Sequence, residues 1–354
     1  MHILSSDQRR GAQTYARALC DALSSELSTH VAVTLYSADQ LGSLRPDFCL
    51  DVRARSGLLG LWNPVAWGRL RRLISRERPD MVVCHGSAGV RYIWGAARSE
   101  VPLVYLRIGV DSPQMESGIR RVFYRVWQRR VDVLVGVSRA ALAAGSDLGL
   151  RKGTVQHVIF NGRNPDDFGP APTSDPTVTQ LTFVGQLEDG KRPLVFCDLI
   201  RDLRAEGASA RGVLVGDGPL ANEVARRTSP GIIDALGRRD DVPDILRGTG
   251  ILVLCSRPPE GMPGVLIEAG MSGVPAVSTL VPGAADVIVD GETGILVDVD
   301  DYDALLAACR TLVNDPQLRT TMGSAARTRC VENFDERVGW VKWQELIEAN
   351  LPAC

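Results

Sequence analysis

The sequence predicts an α/β fold built from two similar halves. Short apolar runs alternate with amphipathic helical patterns along most of the chain, and a Pro-, Asp- and Gly-rich stretch at 161–177 interrupts this alternation. The length of 354 residues is about twice that of a typical domain. Alternating strands and helices imply parallel sheets covered on both faces, as in Rossmann-like domains. We therefore predict a first domain over 1–160, a linker over 161–177, a second domain over 178–333 and a C-terminal helix over 334–354.

The first half begins with a strand, a polar loop that reaches Gly11, and an amphipathic helix with apolar residues at helical spacing. A segment that includes Pro64 and Trp67 is rich in loop-forming residues and precedes a basic helix. Strands are predicted at His2–Ser5, His30–Ser37, Met81–His85, Leu103–Ile108, Val133–Ser138 and Val155–Phe160. Helices are predicted at Ala12–Leu27 and Gly68–Arg78, after the strand Met81–His85 through Arg98, and at Glu116–Arg130 and Arg139–Leu148.

The second half repeats the alternation and ends in consecutive helices. Its strands are predicted at Leu181–Gly185, Gly212–Gly216, Ile232–Leu236, Ile251–Cys255, Pro275–Thr279 and Gly294–Asp298. Its helices are predicted from Pro193, from Leu220, near Asp244, from Gly264, and at Tyr302–Val313, Pro316–Asn333 and Glu336–Ala349.

The most informative stretch is the strand–loop–helix–strand unit that starts at Ile251–Cys255. Prolines and glycines between 258 and 263 exclude regular structure, a helical pattern starts at Gly264, and Gly273 ends it. The start of a helix presents free backbone N–H groups and the positive end of its dipole, which suits a phosphate. The carboxylates of Glu260 and Glu268 are suited instead to accept hydrogen bonds from sugar or ribose hydroxyls.

The sequence Pro-Pro-Glu-Gly-Met-Pro-Gly-Val-Leu-Ile-Glu-Ala, with Glu260 and Glu268, resembles the E-x7-E motif of retaining glycosyltransferases of the family 4 type. An ordinary βαβ crossover with two solvated glutamates is the alternative interpretation. The resemblance implies a GT-B fold, with two Rossmann-like domains facing a central cleft and a last helix that crosses back to the first domain. It implies that Glu260 holds hydroxyls of the donor sugar and that Glu268 holds the ribose. The donor diphosphate would meet the backbone of Met262, Pro263, Gly264 and Val265.

The segment from Gly185 to Arg192 almost matches a P-loop, G-x4-G-K-S/T. Arg192 occupies the position of the hydroxyl that binds Mg²⁺, so we reject an ATPase. The segment resembles the V-G-R-L-x3-K-G sequence of the glycosyltransferases, in which an Arg and a Lys bind the donor diphosphate. Lys191 matches that Lys and is a predicted catalytic residue. Gln186 replaces the Arg, which removes one cation, and Arg192 is a candidate to compensate.

The turn Gly216-Asp-Gly-Pro follows a predicted strand and mimics a dinucleotide fingerprint. The acidic residue expected about twenty residues later is poorly matched, because Asp234 lies inside the predicted strand, which argues against a dehydrogenase. The turn resembles the G-D-G-P turn of the glycosyltransferases, which lies near the nucleotide. Gly237 and Arg238 resemble the segment whose backbone contacts the base.

Two further segments concern the donor sugar and metal binding. Pro282-Gly-Ala-Ala-Asp286 resembles a G-G-x-x-E turn with two departures, which leaves the sugar preference open. Asp298 and Asp300 form a D-x-D, the metal motif of a different glycosyltransferase fold. Because this D-x-D ends a strand and precedes a helix, capping explains it, and we predict no metal site.

Three residues of the first half are candidates for contacts with donor or acceptor. Gly11 lies in a segment that resembles the family's Gly-rich first loop, where a backbone N–H meets the donor phosphate. His85 ends a predicted strand at the carboxyl edge where α/β sites form, so it is a candidate catalytic and acceptor-side residue; a structural histidine is the alternative. Arg107 ends the next strand and could bind an anionic acceptor.

Composition limits the classes of binding partner and the cellular compartment that we expect for this protein. The net charge of −2 gives no general attraction to nucleic acid. Eight scattered cysteines without a C-x-x-C pair fit reduced thiols in a cytoplasmic protein, and no signal peptide or membrane-spanning run is found. The basic helices at 68–78 and 116–130 carry aromatic residues, namely Trp67, Phe123, Tyr124 and Trp127. They are either solvated faces or peripheral contacts with the inner face of a membrane.

The sequence therefore predicts a metal-independent, retaining glycosyltransferase. It would move a hexosyl or N-acetylhexosaminyl group from a UDP- or GDP-linked donor to a hydroxyl of a sugar, aminocyclitol or lipid-linked acceptor, with no cofactor besides the donor substrate. A GT-B-fold epimerase of nucleotide sugars and a nucleotide-sugar-binding protein without transfer activity are the alternatives.

Overall fold

The computed structural model describes residues 1–6, 11–24, 29–36, 46–51, 63–96, 101–109, 118–147, 149–170 and 178–351. The chain forms two compact units, each with its own sheet and core. The first comprises Met1–Asn161 and Val338–Cys354, and the second comprises Gly162–Arg337.

Within its described residues, the first unit contains a seven-stranded sheet, and every pair of neighbouring strands in it is parallel. Its strands are β1 (His2–Ser6), β2 (Ala32–Tyr36), β3 (Phe48–Cys49), β4 (Val82–His85), β5 (Leu103–Arg107), β6 (Val133–Gly136) and β7 (Val155–Val158), in the order β3-β2-β1-β4-β5-β6-β7. Its first five helices are α1 (Gly11–Leu23), α2 (Pro64–Glu77), α3 (Ser87–Ala96), α4 (Gly118–Gln128) and α5 (Arg139–Ser146).

Helix α2 starts four residues earlier than the sequence predicts. Pro64 and Trp67, which we expected in a loop, lie in its first turn. The cause is local: the side chain of Asn63 accepts a hydrogen bond from the N–H of Ala66 at 3.1 Å, and Pro64 occupies the first helical position, where its missing N–H is harmless. Strand β3 lies between the second strand and α2, where the sequence predicts no strand.

The second unit contains a six-stranded parallel sheet. Its strands are β8 (Thr179–Val184), β9 (Ala210–Val215), β10 (Ile233–Ala235), β11 (Ile251–Leu254), β12 (Ala276–Thr279) and β13 (Gly294–Val297), in the order β10-β9-β8-β11-β12-β13. Its helices are α6 (Pro193–Ala205), α7 (Ala221–Arg227), α8 (Val242–Arg247), α9 (Gly264–Met271), α10 (Ala284–Val287), α11 (Tyr302–Asn314) and α12 (Pro316–Phe334). The predicted pair of parallel α/β sheets is therefore confirmed.

A close helix pair supports the strand–loop–helix–strand unit of the second half. Helix α9 is mostly buried and packs against α12. A Cβ atom at Gly270 would collide with the thiol of Cys330, so glycine is needed for this approach. The apolar strands β8, β11 and β12 underlie the same region, and the loops that follow them emerge at the carboxyl edge of the sheet.

The last helix, α13 (Glu336–Asn350), contributes its residues from Val338 onward to the first unit. Nε1 of Trp343 donates a hydrogen bond to the hydroxyl of Tyr15 at 2.9 Å, and Trp340 stacks on Tyr15 with ring centroids 5.6 Å apart. Trp343 is fully buried, so this contact is part of the core. Among the described residues, no helix combines the length and hydrophobicity needed to cross a bilayer.

Candidate active site

The loop after β11 and the start of α9 form the centre of the candidate site in the second unit. Strand β11 is fully buried, and the chain leaves it through Cys255 and Ser256 before the prolines break the backbone. Pro263 precedes the first turn of α9 and, within the part of the chain that the structure describes, no side chain caps that turn. The first N–H groups of α9, backed by the helix dipole, can therefore bind an anion.

Lys191 and Glu260 meet at this edge of the sheet. Lys191 ends the 3₁₀ turn Asp189–Lys191, and its Nζ donates to both carboxylate oxygens of Glu260, with a distance of 2.8 Å to Oε2. The side chains are only 25% and 13% exposed. The N–H of Arg257 donates to the carbonyl of Gly190 at 2.8 Å, which holds the two loops together. Two residues with separate predicted roles thus form one ion pair.

A second ion pair joins Glu268 to Arg163, a residue that the sequence analysis assigned to the linker. Nε of Arg163 donates to Oε1 of Glu268 at 2.7 Å, with both side chains mostly buried. A Cβ atom at Gly264 would collide with the guanidinium of Arg163, so this cation lies directly against the start of α9. An arginine in a Pro- and Asp-rich segment carries no motif, and no sequence signal pointed to it.

Arg192 does not lie free beside Lys191. Its guanidinium forms an ion pair with Asp300 at 3.2 Å, and Nε of Arg257 donates to the same carboxylate at 3.0 Å. The hydrogen bond from Arg257 lowers the pKa of Asp300. The next residue, Asp301, caps α11 by accepting a hydrogen bond from the N–H of Ala304 at 2.9 Å. The helix cap is therefore Asp301 and not a residue of the D-x-D, so the expectation that the D-x-D caps the helix is wrong. The capping position lies one residue later, and Asp300 is held by two arginines instead.

Three predicted glycines are joined through their backbones at the carboxyl ends of β8, β9 and β10. The N–H of Gly216 donates to the carbonyl of Gly237 at 2.8 Å. The N–H of Gly185 donates to the carbonyl of Val215, the residue before Gly216, at 3.0 Å. Gly216 has φ of 145°, and a Cβ atom there would collide with the carbonyl of Gly185. Backbone geometry alone therefore requires Gly216, and the exposed side chains of Gln186 and Arg238 flank this junction in sequence.

The turn before α10 packs against the loop that carries Glu260. Gly283 has φ of 82°, and a Cβ atom on it would collide with the carbonyl of Gly261. Gly283 therefore lies directly against the loop that carries Glu260, and Asp286 is buried in α10.

In the first unit, His85 ends β4 and borders a cavity of about 260 Å³ that is also lined by Leu4, Ser5, Gly86 and Ile108. The ring is 4% exposed, and burial lowers the pKa of His85 to about 3, so it is neutral. This places the ring at the carboxyl edge of the sheet, as the sequence suggests, with its direct role still a prediction.

Arg107 ends β5 beside β4 but is buried, with 1% exposure. Its Nε donates to the carbonyl of Gly109 at 3.2 Å, and its side chain packs against Gly145 of α5. Gly11 begins α1, while the preceding residue of its motif, Arg10, lies outside the described residues. Contacts of Arg107 with an acceptor and of Gly11 with the donor stay predictions.

Two family models match the chain, one on each half. The model described as glycosyl transferases group 1 matches residues 178–315, and the model described as glycosyltransferase family 4 matches residues 9–167.

Several curated proteins share sequence with the chain. A GDP-mannose-dependent α-(1-6)-phosphatidylinositol monomannoside mannosyltransferase from Mycolicibacterium smegmatis is 26% identical over 98% of this chain and 97% of that protein. An α-1,4-N-acetyl-D-galactosaminyltransferase from Campylobacter jejuni, which acts on a diphospho-undecaprenol-linked saccharide, is 34% identical over 47% of each chain. The match to this second relative thus spans about half of its length.

Solved structures share the fold at low sequence identity. HepE from Anabaena, in complex with UDP, has a TM-score of 0.79 and 18% identity over 98% of this chain and 99% of that chain. A sucrose-phosphate synthase from Thermosynechococcus elongatus has a TM-score of 0.80 and 16% identity over 98% of each chain.

The two sheets, the acidic pair around α9 and these matches define a GT-B glycosyltransferase. The chain belongs to the glycosyltransferases of family 4. The predicted recognition and the GT-B fold are confirmed.

Proposed function

We propose that this protein transfers a hexosyl or N-acetylhexosaminyl group, with retention at the anomeric carbon, from a UDP- or GDP-linked donor to an acceptor hydroxyl. The observation that supports this most is the arrangement of two carboxylate–cation pairs, Lys191 with Glu260 and Arg163 with Glu268, around the uncapped start of α9. Transfer requires cations and N–H donors for the departing diphosphate and carboxylates for the sugar and ribose hydroxyls, and both kinds of group lie here.

The diphosphate would compete with Glu260 for Lys191. A diphosphate carries more charge than a carboxylate, so the ammonium group would turn toward it when the donor binds. Glu260 then loses its cation and can accept hydrogen bonds from hydroxyls of the donor sugar. This exchange of partners would be complete once the donor is bound, so both side chains would already be in place before the transition state forms.

Arg163 would supply the second cation at the diphosphate, which is missing because Gln186 replaces the arginine of the family segment. Its guanidinium already lies against the first turn of α9, where a phosphate would also bind. Glu268, held by Nε of Arg163 through Oε1, would bind the ribose hydroxyls with its remaining lone pairs. Arg192 is bound to Asp300 and would act on the donor only through the loop that it shares with Lys191.

We further propose that the reaction needs no metal ion, since fixed cations and helix N–H groups would neutralise the diphosphate. The acceptor would be a sugar, a polyol such as an aminocyclitol, or a lipid-linked saccharide. Support comes from relatives whose names specify phosphatidylinositol mannoside and diphospho-undecaprenol acceptors.

A peripheral contact with an anionic membrane is proposed for α4. Val122 and Val126 are 59% and 37% exposed, and Arg121, Arg125 and Arg129 lie on the same outward side. Of the aromatic residues that suggested this contact, Trp127 is buried and contacts the rings of Phe123 and Tyr124. Any contact would therefore rest on arginines and valines rather than on aromatic anchors.

A panel of UDP- and GDP-linked sugars tests the proposed function by release of free nucleotide diphosphate, with and without acceptor mixtures. Acceptor-dependent release supports transfer, whereas conversion of the donor sugar to an epimer or binding without release would overturn it. Glu260→Gln should abolish acceptor-dependent release. Glu345→Gln, at an exposed glutamate of α13, is the matched control and should leave release unchanged.

A further inference from the structure

Three arginines line one cavity of the second unit, at the edge of its sheet where the parallel strands begin. Arg204 lies in the last turn of α6, Arg211 is the second residue of β9, and Arg319 lies in the first turn of α12. The cavity has a volume of about 470 Å³, and its lining also includes Gln180, Gly248 and Gly250. Among the described residues, no Asp or Glu lines it, so the charged side chains around it are all cations.

The strand register separates this cavity from the candidate active site. Gln180, the second residue of β8, pairs with Arg211 near the start of β9. The loops of the candidate active site leave the opposite ends of the same two strands, where Gly185 bonds to Val215. Strand β8 has six residues, so the two regions lie about 20 Å apart along it. An anion in the cavity would therefore not be the diphosphate of the proposed donor site.

A buried amide holds Arg211 in place at the cavity. The side chain of Gln180 is buried, and its Oε1 accepts a hydrogen bond from Nη2 of Arg211 at 2.6 Å. Nε2 of the same amide donates to the hydroxyl of Thr182 at 3.2 Å. Because both ends of the amide are bonded, its orientation is fixed. Arg211 is therefore oriented before any ligand binds, which reduces the entropy lost on binding.

Backbone carbonyls anchor the other two guanidinium groups. Nη1 of Arg204 donates to the carbonyl of Ala210, the residue before Arg211, at 2.9 Å. Nη1 of Arg319 donates to a carbonyl in the last turn of α11 at 2.6 Å. A Cβ atom at Gly250 would lie 3.6 Å from Nε of Arg319, so this guanidinium lies against the chain between α8 and β11. All three arginines are thus held in place by the fold itself.

Anchoring uses only part of the hydrogen-bonding capacity of these arginines. A guanidinium has five N–H donors, and within the described chain Nε and one terminal nitrogen of each of the three have no hydrogen-bond partner. Exposed arginines nearby pair with carboxylates instead, such as Arg201 with Asp198 and Arg310 with Glu206. Burial lowers the pKa of Arg319, which indicates a partly desolvated cation. An anion in the cavity would meet donors that the fold leaves unused.

Carboxylates near the cavity are bonded to other groups. Asp315 raises the pKa of Arg319 only as a secondary effect, and it caps α12 by accepting a hydrogen bond from the first turn at 2.9 Å. Asp234 accepts from the N–H of Gly231 at 3.2 Å, and Asp244 is ion-paired within its own helix, α8. Among the described residues, none of these carboxylates forms an ion pair with the three arginines of the cavity.

We propose that this cavity binds an oligophosphate, a small molecule with two or more linked phosphate groups, at a site separate from that of the sugar donor. A guanidinium binds phosphate through two parallel hydrogen bonds. Linked phosphates supply the several charged oxygens that three guanidinium groups can engage at once. The cavity volume lies within the range of about 300–1,000 Å³ that is usual for small-molecule sites. Inorganic oligophosphates and nucleoside triphosphates share this chemistry.

Isothermal titration calorimetry with inorganic triphosphate tests the site in a variant whose proposed donor site lacks its cations, Arg163→Ala/Lys191→Ala. Triphosphate should still bind to this variant, because the cavity is unchanged. Adding Arg204→Gln and Arg211→Gln should raise the Kd by at least about 10- to 100-fold, since hydrogen bonds between charged groups are lost. Absence of binding to the first variant, or an unchanged Kd in the second, would overturn the proposal.

The matched control removes two other cations from the same unit. Arg201→Gln and Arg226→Gln, at exposed positions of α6 and α7, replace the cavity substitutions in the same background and should leave the Kd unchanged. An equal rise in the Kd would show that only the overall charge matters, which would contradict a site. Circular dichroism verifies that each variant is folded. Arg211→Lys, which keeps the charge but not the paired donors, should bind more weakly than the parent residue.

Backbone amide NMR locates the anion in the unmodified protein. Titration with inorganic triphosphate should shift the signals of Gly248 and Gly250, which line the cavity. Shifts at Gly264 of α9 without shifts at these two glycines would place the anion elsewhere and overturn the proposal.

A comparison of three compounds identifies the ligand class. Equal affinity for ATP and inorganic triphosphate would support a site that contacts phosphate groups alone, and tighter binding of ATP would support a nucleotide ligand. Binding of a polyglutamate peptide but of neither phosphate compound would overturn the proposal. These measurements need no turnover, so failure of glycosyl transfer would be seen separately in the donor panel.

Discussion

Nζ of Lys191 lies 2.8 Å from Oε2 of Glu260, across 69 positions of sequence. The pair joins the loop after β8 to the loop after β11, and neither side chain is more than 25% exposed. A partly desolvated ion pair is oriented more firmly than an exposed one, and removal of one partner leaves the other uncompensated. Mutation of either residue should therefore affect the position of its partner as well as the contact with substrate.

Lys191→Ala should lower kcat by about 10²–10³, because loss of one preorganised electrostatic donor has an effect of that size. Affinity for the donor should change less, since Arg163 and the N–H groups of α9 remain. Initial rates with the donor identified in the panel measure both quantities, after circular dichroism has verified folding. Lys342→Ala, at an exposed lysine of α13, is the control. Full activity of Lys191→Ala would remove Lys191 from the mechanism.

Gln186→Arg should leave turnover equal or higher, because it adds a cation to the loop that carries Lys191. Gln186 is exposed, so the longer side chain has room. Combined with Lys191→Ala, the change should be non-additive, since in the proposed site both residues would act on one diphosphate. Initial rates of the parent, the two single variants and the double variant together form a double-mutant cycle that measures this non-additivity. Strict additivity would show that residue 186 acts elsewhere.

Arg163→Ala and Glu268→Ala should each weaken binding of free nucleotide by about 1.5–3 kcal/mol, the usual contribution of hydrogen bonds to charged groups. Isothermal titration calorimetry with UDP and GDP measures this. Because the two side chains are bonded to each other, the double variant should lose less than the sum of the single losses. Unchanged affinity in Glu268→Ala would exclude it from the nucleotide site, and Glu345→Gln serves again as the control.

The contrast between Arg163 and the E-x7-E glutamates shows what the sequence could predict. Strands and helices follow from apolar periodicity, and the two glutamates stand in a recognisable motif. Arg163 lies in a segment without periodicity, and only the folded chain brings it 2.7 Å from Glu268, 105 positions away. The direction of Arg192 was unpredictable for a related reason: its partner Asp300 comes from a distant turn. Periodic patterns of apolar residues predict helices and strands. Ion pairs between residues far apart in the sequence depend instead on how the whole chain packs.

Chelation with EDTA should leave turnover unchanged. Asp300, the second carboxylate of the D-x-D, is bound by Arg257 and Arg192. Lys191 and Arg163 are the cations that we propose for the diphosphate. Rates before and after EDTA, and after readdition of Mg²⁺ or Mn²⁺, provide the measurement. Activity that disappears on chelation and returns with metal would refute metal independence.

Vesicles that contain anionic lipid should pellet the protein at low salt and release it at high salt, through the arginines of α4. Each basic residue near an anionic surface contributes about 1 kcal/mol, so the double variant Arg121→Glu/Arg125→Glu should bind distinctly less. Arg226→Glu, a charge reversal at an exposed arginine on α7 of the second unit, is the control, and it should bind as the parent does. If the protein does not sediment with these vesicles at low salt, the proposed membrane contact is wrong.

Acid should destabilise the first unit through its buried histidines. The pKa of His85 is about 3 in the folded chain, against an ordinary value near 6.5, so between these pH values the unfolded state binds a proton that the folded state does not. The free energy of unfolding therefore falls as the pH drops from about 6.5 toward 3, by up to about 1.4 kcal/mol per pH unit for this residue. Urea midpoints between pH 7 and pH 5 should fall less steeply in His85→Gln, which cannot take up that proton, than in the parent. The control His157→Gln, at an exposed ring, should show the same dependence of the urea midpoint on pH as the parent. If the midpoint of His85→Gln falls as steeply as that of the parent, another group controls the acid transition.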